Sequence, residues 1–366
     1  MYEIPFVRPT LPNISDISNE LDEVLKSGMI SSRLGWKNVV EFEEKMKKYT
    51  GKKYAVALNS GTTGLHAMLQ RYSFIDTVII PAFTFHATAL ACKLNNKDIR
   101  YVDVDLETWT VDSDHLQYLV STGSGRQLLL AANMFGNPPA FDEFRNFINQ
   151  DLILVDNAQG IGATYGNENS GFHGYASSFS FSASKLITGG EGGLVCTDDK
   201  QMKDCALFCR HYGDDGSYNP QYLGLNGRIP EFNAIILNKQ FDNLKNVMSI
   251  HREIANKYKN RLNNLFQQEK IKFQVEQKNG SSGWKEFVIR ILTGNRDKIG
   301  EALEKNKIEH KKYWSIPLHK TKLYRDDNAY LPNTNLLAKQ CLAVPMYQLI
   351  TDENIDRICT VIENNI

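Results

Sequence analysis

Phe179-Ser-Phe-Ser-Ala-Ser-Lys185-Leu-Ile-Thr-Gly-Gly-Glu-Gly-Gly193 is the stretch on which the reading of this chain turns. Ser180 and Ser182 alternate with Phe179 and Phe181, so an extended backbone sends the hydroxyls one way and the rings the other. Lys185 follows, and then four glycines in five residues that let the chain turn sharply. Twenty-nine residues before Lys185, the run Leu152-Ile-Leu-Val-Asp156-Asn-Ala-Gln159 reads as a buried strand that ends in a carboxylate. A buried, unpaired carboxylate is costly. Asp156 therefore calls either for a cationic partner or for a role capping the next helix.

Outward from these two segments, short apolar runs recur: Tyr54-Ala-Val-Ala-Leu58, Thr77-Val-Ile-Ile80, Tyr101-Val-Asp-Val104, Leu128-Leu-Leu-Ala-Ala132, Leu152 to Val155, Ser178 to Phe181 and Leu194-Val-Cys196. Several are apolar throughout, which implies cover on both faces. Helical patterns lie between many of them, so the expectation is an α/β layered, mostly parallel sheet. Ahead of the strands, Ile17, Leu21, Val24 and Leu25 share one helical face, and Val39, Phe42, Met46 and Tyr49 another. The pairs Glu41/Lys45, Glu43/Lys47 and Glu44/Lys48 predict a solvated outer face for the second helix. From about residue 240 the texture changes. One long helix is expected over Lys239 to Phe266, then strands at 271–275 and 286–291, a helix at 296–306 and a last helix from Thr351. We expect two domains, 1–240 and 241–366, the second smaller and α+β.

The 366 residues carry 42 basic and 42 acidic side chains. With no basic excess to track a phosphate backbone, nucleic acid is not the expected partner. Neutrality also permits self-association. No apolar run is long enough for a membrane span, and the first residues do not read as a signal peptide, so a cytoplasmic protein is expected. The six cysteines form no Cys-x-x-Cys pair. Cys205 and Cys209, near His211, read as buried thiols on a helix rather than metal ligands, and no metal is expected.

Four segments can each build part of one site. Ser60, Gly61 and Thr62 stand where a strand end enters a helix, and free N–H groups there suit a phosphate; an ordinary Ser cap fits them equally. Phe83 and Phe85 follow another strand; one is expected in the core, and Phe85 is the one expected to stack on a flat ring. His86 is expected to pack. Asp156 suits a pyridine nitrogen and Gln159 a phenolic oxygen beside it. Ser180 can bond a phosphate, and Lys185, emerging at the strand end, supplies an amine that condenses with an aldehyde. Together these are the parts needed for pyridoxal 5'-phosphate (PLP): a carboxylate keeps the ring electron-hungry, and a lysine carries its reactive carbon.

These segments resemble the DegT/DnrJ/EryC1/StrS sugar aminotransferases, a branch of the fold-type-I PLP enzymes. The likeness runs through Ser60-Gly-Thr, Pro81-Ala-Phe-Thr-Phe85, Val102-Asp-Val-Asp105, Asn133-Met-Phe-Gly136, Val155-Asp-Asn-Ala-Gln159 and Lys185. It continues through Leu223-Gly-Leu-Asn226-Gly-Arg228, Pro317-Leu-His319, Val344-Pro-Met346 and Thr351-Asp-Glu-Asn-Ile-Asp356. The resemblance implies a homodimer with shared sites, in which Asn226 reaches the cofactor phosphate of the partner subunit. It places Arg228 and His319 near the substrate or amino donor, and Gly28, Met29, Ile30 and Ser31 (with Ser32) in a sugar-nucleotide pocket. It makes Lys185 the proton carrier. The chain departs from the family pattern at Asn157, at Gly227, where an aromatic residue is usual, at His86, and at Arg33 and Leu34.

The implied activity is transfer of an amino group from L-glutamate to a keto group on a nucleotide-linked deoxysugar, for surface glycans such as O-antigen and lipopolysaccharide or for natural products. A cyclitol ketone is an alternative substrate. A dehydratase of the same family would carry histidine in place of Lys185. A non-catalytic PLP-binding regulator and a plain nucleotide-binding module are the remaining readings.

Overall fold

The computed structural model describes residues 2–366. Seven strands form the central sheet, in the order Tyr54–Leu58, Gly193–Thr197, Ala176–Ser180, Ile153–Asp156, Gln127–Ala132, Thr77–Pro81, Asp98–Val102. Only Gly193–Thr197 runs against its neighbours; the other adjacent pairs are parallel. The all-apolar runs have the expected cause. Val78, Ile80, Leu128 and Leu130 face one core, while Ile79, Leu129 and Ala131 face the opposite one. Helices Gly61–Gln70, His86–Leu94 and Lys200–Cys209 cover the first face and contribute Met68, Leu69, Cys205 and Cys209 to it. Lys37–Thr50 and Glu231–Asp242 cover part of the other face.

A second sheet is antiparallel: Ile271–Phe273, Phe287–Ile291 and Cys341–Val344. Helices Leu244–Arg261, Arg296–Lys305 and Asp352–Glu363 pack on it around Tyr258, Ile289, Leu303 and Ile358. The first residues of the chain join this layer. Ile4 pairs with Ile308, the Phe6 N–H donates to Glu309 Oε2 (2.7 Å), and the Phe6 carbonyl accepts from the Met346 N–H (3.4 Å). Among the described residues no helix is long and apolar enough to cross a membrane.

Several expectations need correction. The strand read at 101–104 spans Asp98–Val102, because its outer half is a polar sheet edge that carries no apolar signal. The single helix read over 239–266 is three: Glu231–Asp242, Leu244–Arg261 and Asn263–Gln267. At the first break Asn243 leaves helical geometry (φ −97°, ψ 5°); asparagine competes with helix bonding. Leu25 is exposed, although Ile17 and Val24 are buried. Glu43 is not on a wet face. Its Oε1 accepts from the Ala57 N–H (2.8 Å) and from Arg210 Nη1 (2.9 Å), and Arg210 is wholly enclosed. The helix Pro332–Gln340 and the strand Cys341–Val344 had no clear signature in the sequence.

Candidate active site

Parallel strands leave a crevice beyond their carboxyl ends. Here it is a cavity of ≈ 320 Å³ that brings together Ser60, Gly61, Thr62, Phe85, Asp156, Gln159, Ser180 and Lys185. Each is delivered by the end of a strand or the turn after it.

Ser60 is the N-cap of helix Gly61–Gln70, its Oγ accepting from the Thr63 N–H (3.1 Å). Both readings of this segment therefore hold at once. The cap occupies one donor, and helix geometry leaves the N–H groups of Gly61 and Thr62 without intrahelical acceptors at the cavity. Gly193 fixes the opposite side: a Cβ on it would lie 2.1 Å from the Ser60 carbonyl carbon. Only glycine lets the two loops touch. Ser178 Oγ adds a bond to the Gly61 carbonyl (2.9 Å).

Asp156 closes its strand and is almost fully buried. Oδ2 accepts from the Thr88 hydroxyl (2.7 Å) and Oδ1 from the Ala158 N–H (3.2 Å). Both donors are neutral. Burial pushes this carboxyl above the usual carboxylate range, opposed by those two bonds and by the charge of Lys185. Gln159 Oε1 accepts from the Phe135 N–H (2.6 Å), which aims the amide group along the cavity wall. Phe83 is the core ring, packed on Phe135 and Trp314, whereas Phe85 lines the cavity half-exposed with His86 against it (centroids 3.8 Å).

Lys185 lies beyond the strand, which ends at Ser180, in a turn held by its N–H to the Ser182 carbonyl (2.9 Å). Burial lowers the affinity of its amine for a proton; Asp156 and Glu191 oppose that shift and Lys311 adds to it. Lowered proton affinity favours the neutral, nucleophilic form of an amine. The polar atoms facing the cavity fit the expected cofactor. Among the described residues Asp156 has no cation in contact and both side-chain polar atoms of Asn133 are buried without partners, and Gly61 leaves no room for a Cβ beside Ser180 (2.9 Å).

The remaining expected residues are not in the cavity wall. Asn226 is exposed; its carbonyl accepts from Asn59 Nδ2 (2.9 Å) of its own chain. Arg228 Nη1 pairs with His211 Nδ1 (2.8 Å) and lies over Tyr212. His319 is buried beside Tyr101, with no bonding partner on either ring nitrogen. Gly28, Met29, Ile30 and Ser31 form an exposed turn. The Ile30 carbonyl accepts from the Glu231 N–H, and Asn233, two residues on, holds the carbonyls of Gly189 and Glu191 at the cavity rim. Two of the family departures acquire reasons. A Cβ on Gly227 would meet Thr63 Cγ2 at 2.8 Å, so no aromatic ring fits there. Asn157 is buried and accepts from the Ser170 hydroxyl (2.9 Å).

Sequence reasoning missed one whole wall. Lys285, Glu286, Lys311, Tyr313 and Trp314 line the cavity from the layer of the second sheet. Lys285 and Glu286 are a buried ion pair, and Glu286 Oε1 also accepts from the Tyr313 hydroxyl (2.9 Å). Neighbouring unlike charges in sequence look like surface; only the apolar strand that follows Glu286 hinted otherwise.

The sequence model of the DegT/DnrJ/EryC1/StrS aminotransferase family matches residues 13–363. The chain belongs to that family. As a member it is a PLP-dependent aminotransferase with the fold-type-I architecture. It is 26% identical to a GDP-perosamine synthase of Escherichia coli O157:H7, over 98% of this chain and 97% of that one. It is 25% identical to a UDP-2-acetamido-2-deoxy-3-oxo-D-glucuronate aminotransferase of Pseudomonas aeruginosa, over 89% and 90%. The crystal structure of DesI with its TDP-sugar product superposes with a TM-score of 0.91 at 25% identity, covering 99% of this chain and 93% of that one.

Proposed function

We propose that this enzyme moves an amino group from L-glutamate to the keto carbon of a nucleotide-linked 3- or 4-keto-6-deoxyhexose. The observation that carries the reading is Asp156: a buried carboxylate bonded only to neutral donors, in one cavity with an enclosed amine, Lys185. The relatives that act on nucleotide sugars support the substrate class.

When bound, the cofactor supplies an electron sink and a carrier for the amino group. The chain does the rest. Asp156 would accept a hydrogen bond from the ring nitrogen and hold its charge. Gly61, Thr62 and Ser180 would hold the phosphate with neutral donors, while Gln159 and Phe85 fix the ring's edge and face. Lys185 Nζ would act as the base that removes the proton from the donor carbon in the first half-reaction and as the acid that delivers a proton to the sugar carbon in the second. Its lowered proton affinity favours the neutral form that accepts a proton and eases giving the proton up again.

We assign Asn226 and Arg228 to the cavity of a second copy in a homodimer. Their segment exposes Tyr212, Tyr218, Leu223 and Leu225, an apolar surface that a second copy would cover. The turn Gly28 to Ser31 we place at the sugar-nucleotide end through its link to the rim. His319, expected near the substrate or amino donor, we place behind the site, because it is enclosed and not in the cavity wall. We divide the chain at residue 240, with the smaller part supplying Lys285 and Lys311. The setting we infer is cytoplasmic, and the products feed glycan or natural-product assembly.

The test is a spectrum of purified protein with PLP. L-glutamate should bleach the yellow absorbance, and a panel of keto-sugar nucleotides should restore it with one member preferred. Lys185→Ala should abolish turnover with an unchanged melting curve. Persistent turnover in that variant removes the mechanism, and a panel with no reactive member removes the substrate class.

A further inference from the structure

Three lysines line the cavity: Lys185, Lys285 and Lys311. Lys185 is committed to the transfer chemistry. Lys285 is committed to Glu286, which Tyr313 also holds. Lys311, like Lys185, has no carboxylate within ion-pair distance and no side-chain hydrogen bond among the described residues, and it has no part in the transfer chemistry. The nearest acid in sequence, Glu309, is turned to the Phe6 N–H. The position of Lys311 is nevertheless fixed. Its N–H and carbonyl exchange bonds with Ala343 on the edge of the second sheet (3.1 and 2.8 Å). Its Nζ rests over the Phe6 ring (4.4 Å) and near that of Tyr313 (5.9 Å). Aromatic faces hold a cation without neutralising it. The result is an aimed amine without an ion-pair partner among the described residues, on the wall shared with the reacting amine; burial lowers its affinity for a proton and Glu309 opposes that shift.

We propose that Lys311 Nζ is the receptor for the α-carboxylate of the amino donor, a role that rests on the amino-transfer reading above. The chemistry of the donor favours this placement. An α-amino acid carries its carboxylate on the carbon that bears the amine, so the anion must sit beside Lys185. The diphosphate of a sugar nucleotide is separated from a 3- or 4-keto carbon by the sugar ring. The Lys311 charge is felt at both Lys185 and Lys285, which agrees with that proximity. Lys285, Glu286 and Tyr313 then act as positioning residues: Glu286 draws Lys285 and Tyr313 to itself and leaves Lys311 free for the incoming anion.

The experiment compares wild-type holoenzyme with Lys311→Met and Lys311→Arg. The glutamate concentration that half-maximally bleaches the cofactor should rise about 10–100-fold in Lys311→Met, the scale of a lost charged hydrogen bond. Lys311→Arg should restore most of the loss. Glutarate, which has no amine and cannot react, should show a parallel loss by calorimetry. The keto-sugar half-reaction, begun from enzyme loaded directly with pyridoxamine phosphate, should keep its substrate dependence. An unchanged glutamate requirement in Lys311→Met overturns the assignment and leaves amino transfer standing. A shift confined to the keto sugar overturns it in favour of a phosphate contact. Wild-type enzyme that no amino acid bleaches overturns both readings.

Discussion

Two carboxylates packed against this sheet, Glu43 partly buried on its helix and Asp156 buried at a strand end, are treated in opposite ways. Glu43, behind the strand Tyr54–Leu58, meets an enclosed guanidinium: Arg210 Nη1 bonds both its Oε1 and the Ala57 carbonyl (2.9 Å each). Asp156, at the cavity, meets a hydroxyl and an N–H but no contacting cation. Burial holds both acids above their ordinary range. One brings its counter-ion within the chain; the other, on the function proposed above, leaves that place to the cofactor ring. The difference separates a carboxylate that serves the fold from one that serves the chemistry.

The sharpest way to break the comparison is Asp156→Asn. Asparagine keeps the Ala158 bond and can donate to Thr88, so the protein should fold. Turnover should fall on the order of 10²–10³-fold, as for loss of one positioned polar group from a reaction centre, and cofactor retention should weaken in equilibrium dialysis. Unchanged rates would mean that the ring nitrogen has another partner. Arg210→Met should act on the other side: a loss of about 3–5 kcal/mol in denaturant unfolding, because Glu43 is left buried and unpaired, with activity per folded molecule unchanged. Adding Glu43→Gln should recover much of that loss.

A smaller effect concerns pH. A carboxyl whose pKa is raised by folding contributes stability below its unfolded value and loses it as pH rises through the folded one. Asp156 is such a group in cofactor-free protein. The melting temperature of Asp156→Asn should therefore gain on wild type as pH rises from about 3.8 toward neutrality, and PLP should close the gap. A gap that is the same at every pH would show that Asp156 is charged in a wet site. Smallest of all, Glu44→Gln, on the outward turn beside Glu43, should change stability by less than about 0.5 kcal/mol.

The contrast also explains what could be read beforehand. Asp156, Gln159, Ser180 and Lys185 stand at the ends of apolar runs, where local pattern and chemistry coincide. The cofactor wall was therefore legible from the chain. Glu43 was not, because its i,i+4 neighbour Lys47 mimics a surface pair, and the true partner is 167 residues away. Lys285 and Lys311 were missed for the same reason: nothing local marks a lysine as buried when its enclosure comes from remote segments. The strands that were expected followed from apolar runs to within a residue or two, except at the polar edge Asp98–Val102; Cys341–Val344 was not among them. Helix breaks at Asn243 and Leu262 carried no proline or glycine to announce them.

The aromatic floor beneath Lys311 has a consequence for biogenesis. Phe6 leaves the ribosome about three hundred residues before Glu309, the acid that anchors its backbone. That wall of the cavity cannot be finished until Glu309 has been made, whereas the loops around Ser60 and Lys185 can close much earlier. The pocket is thus assembled in two instalments, and the half that greets the donor arrives last.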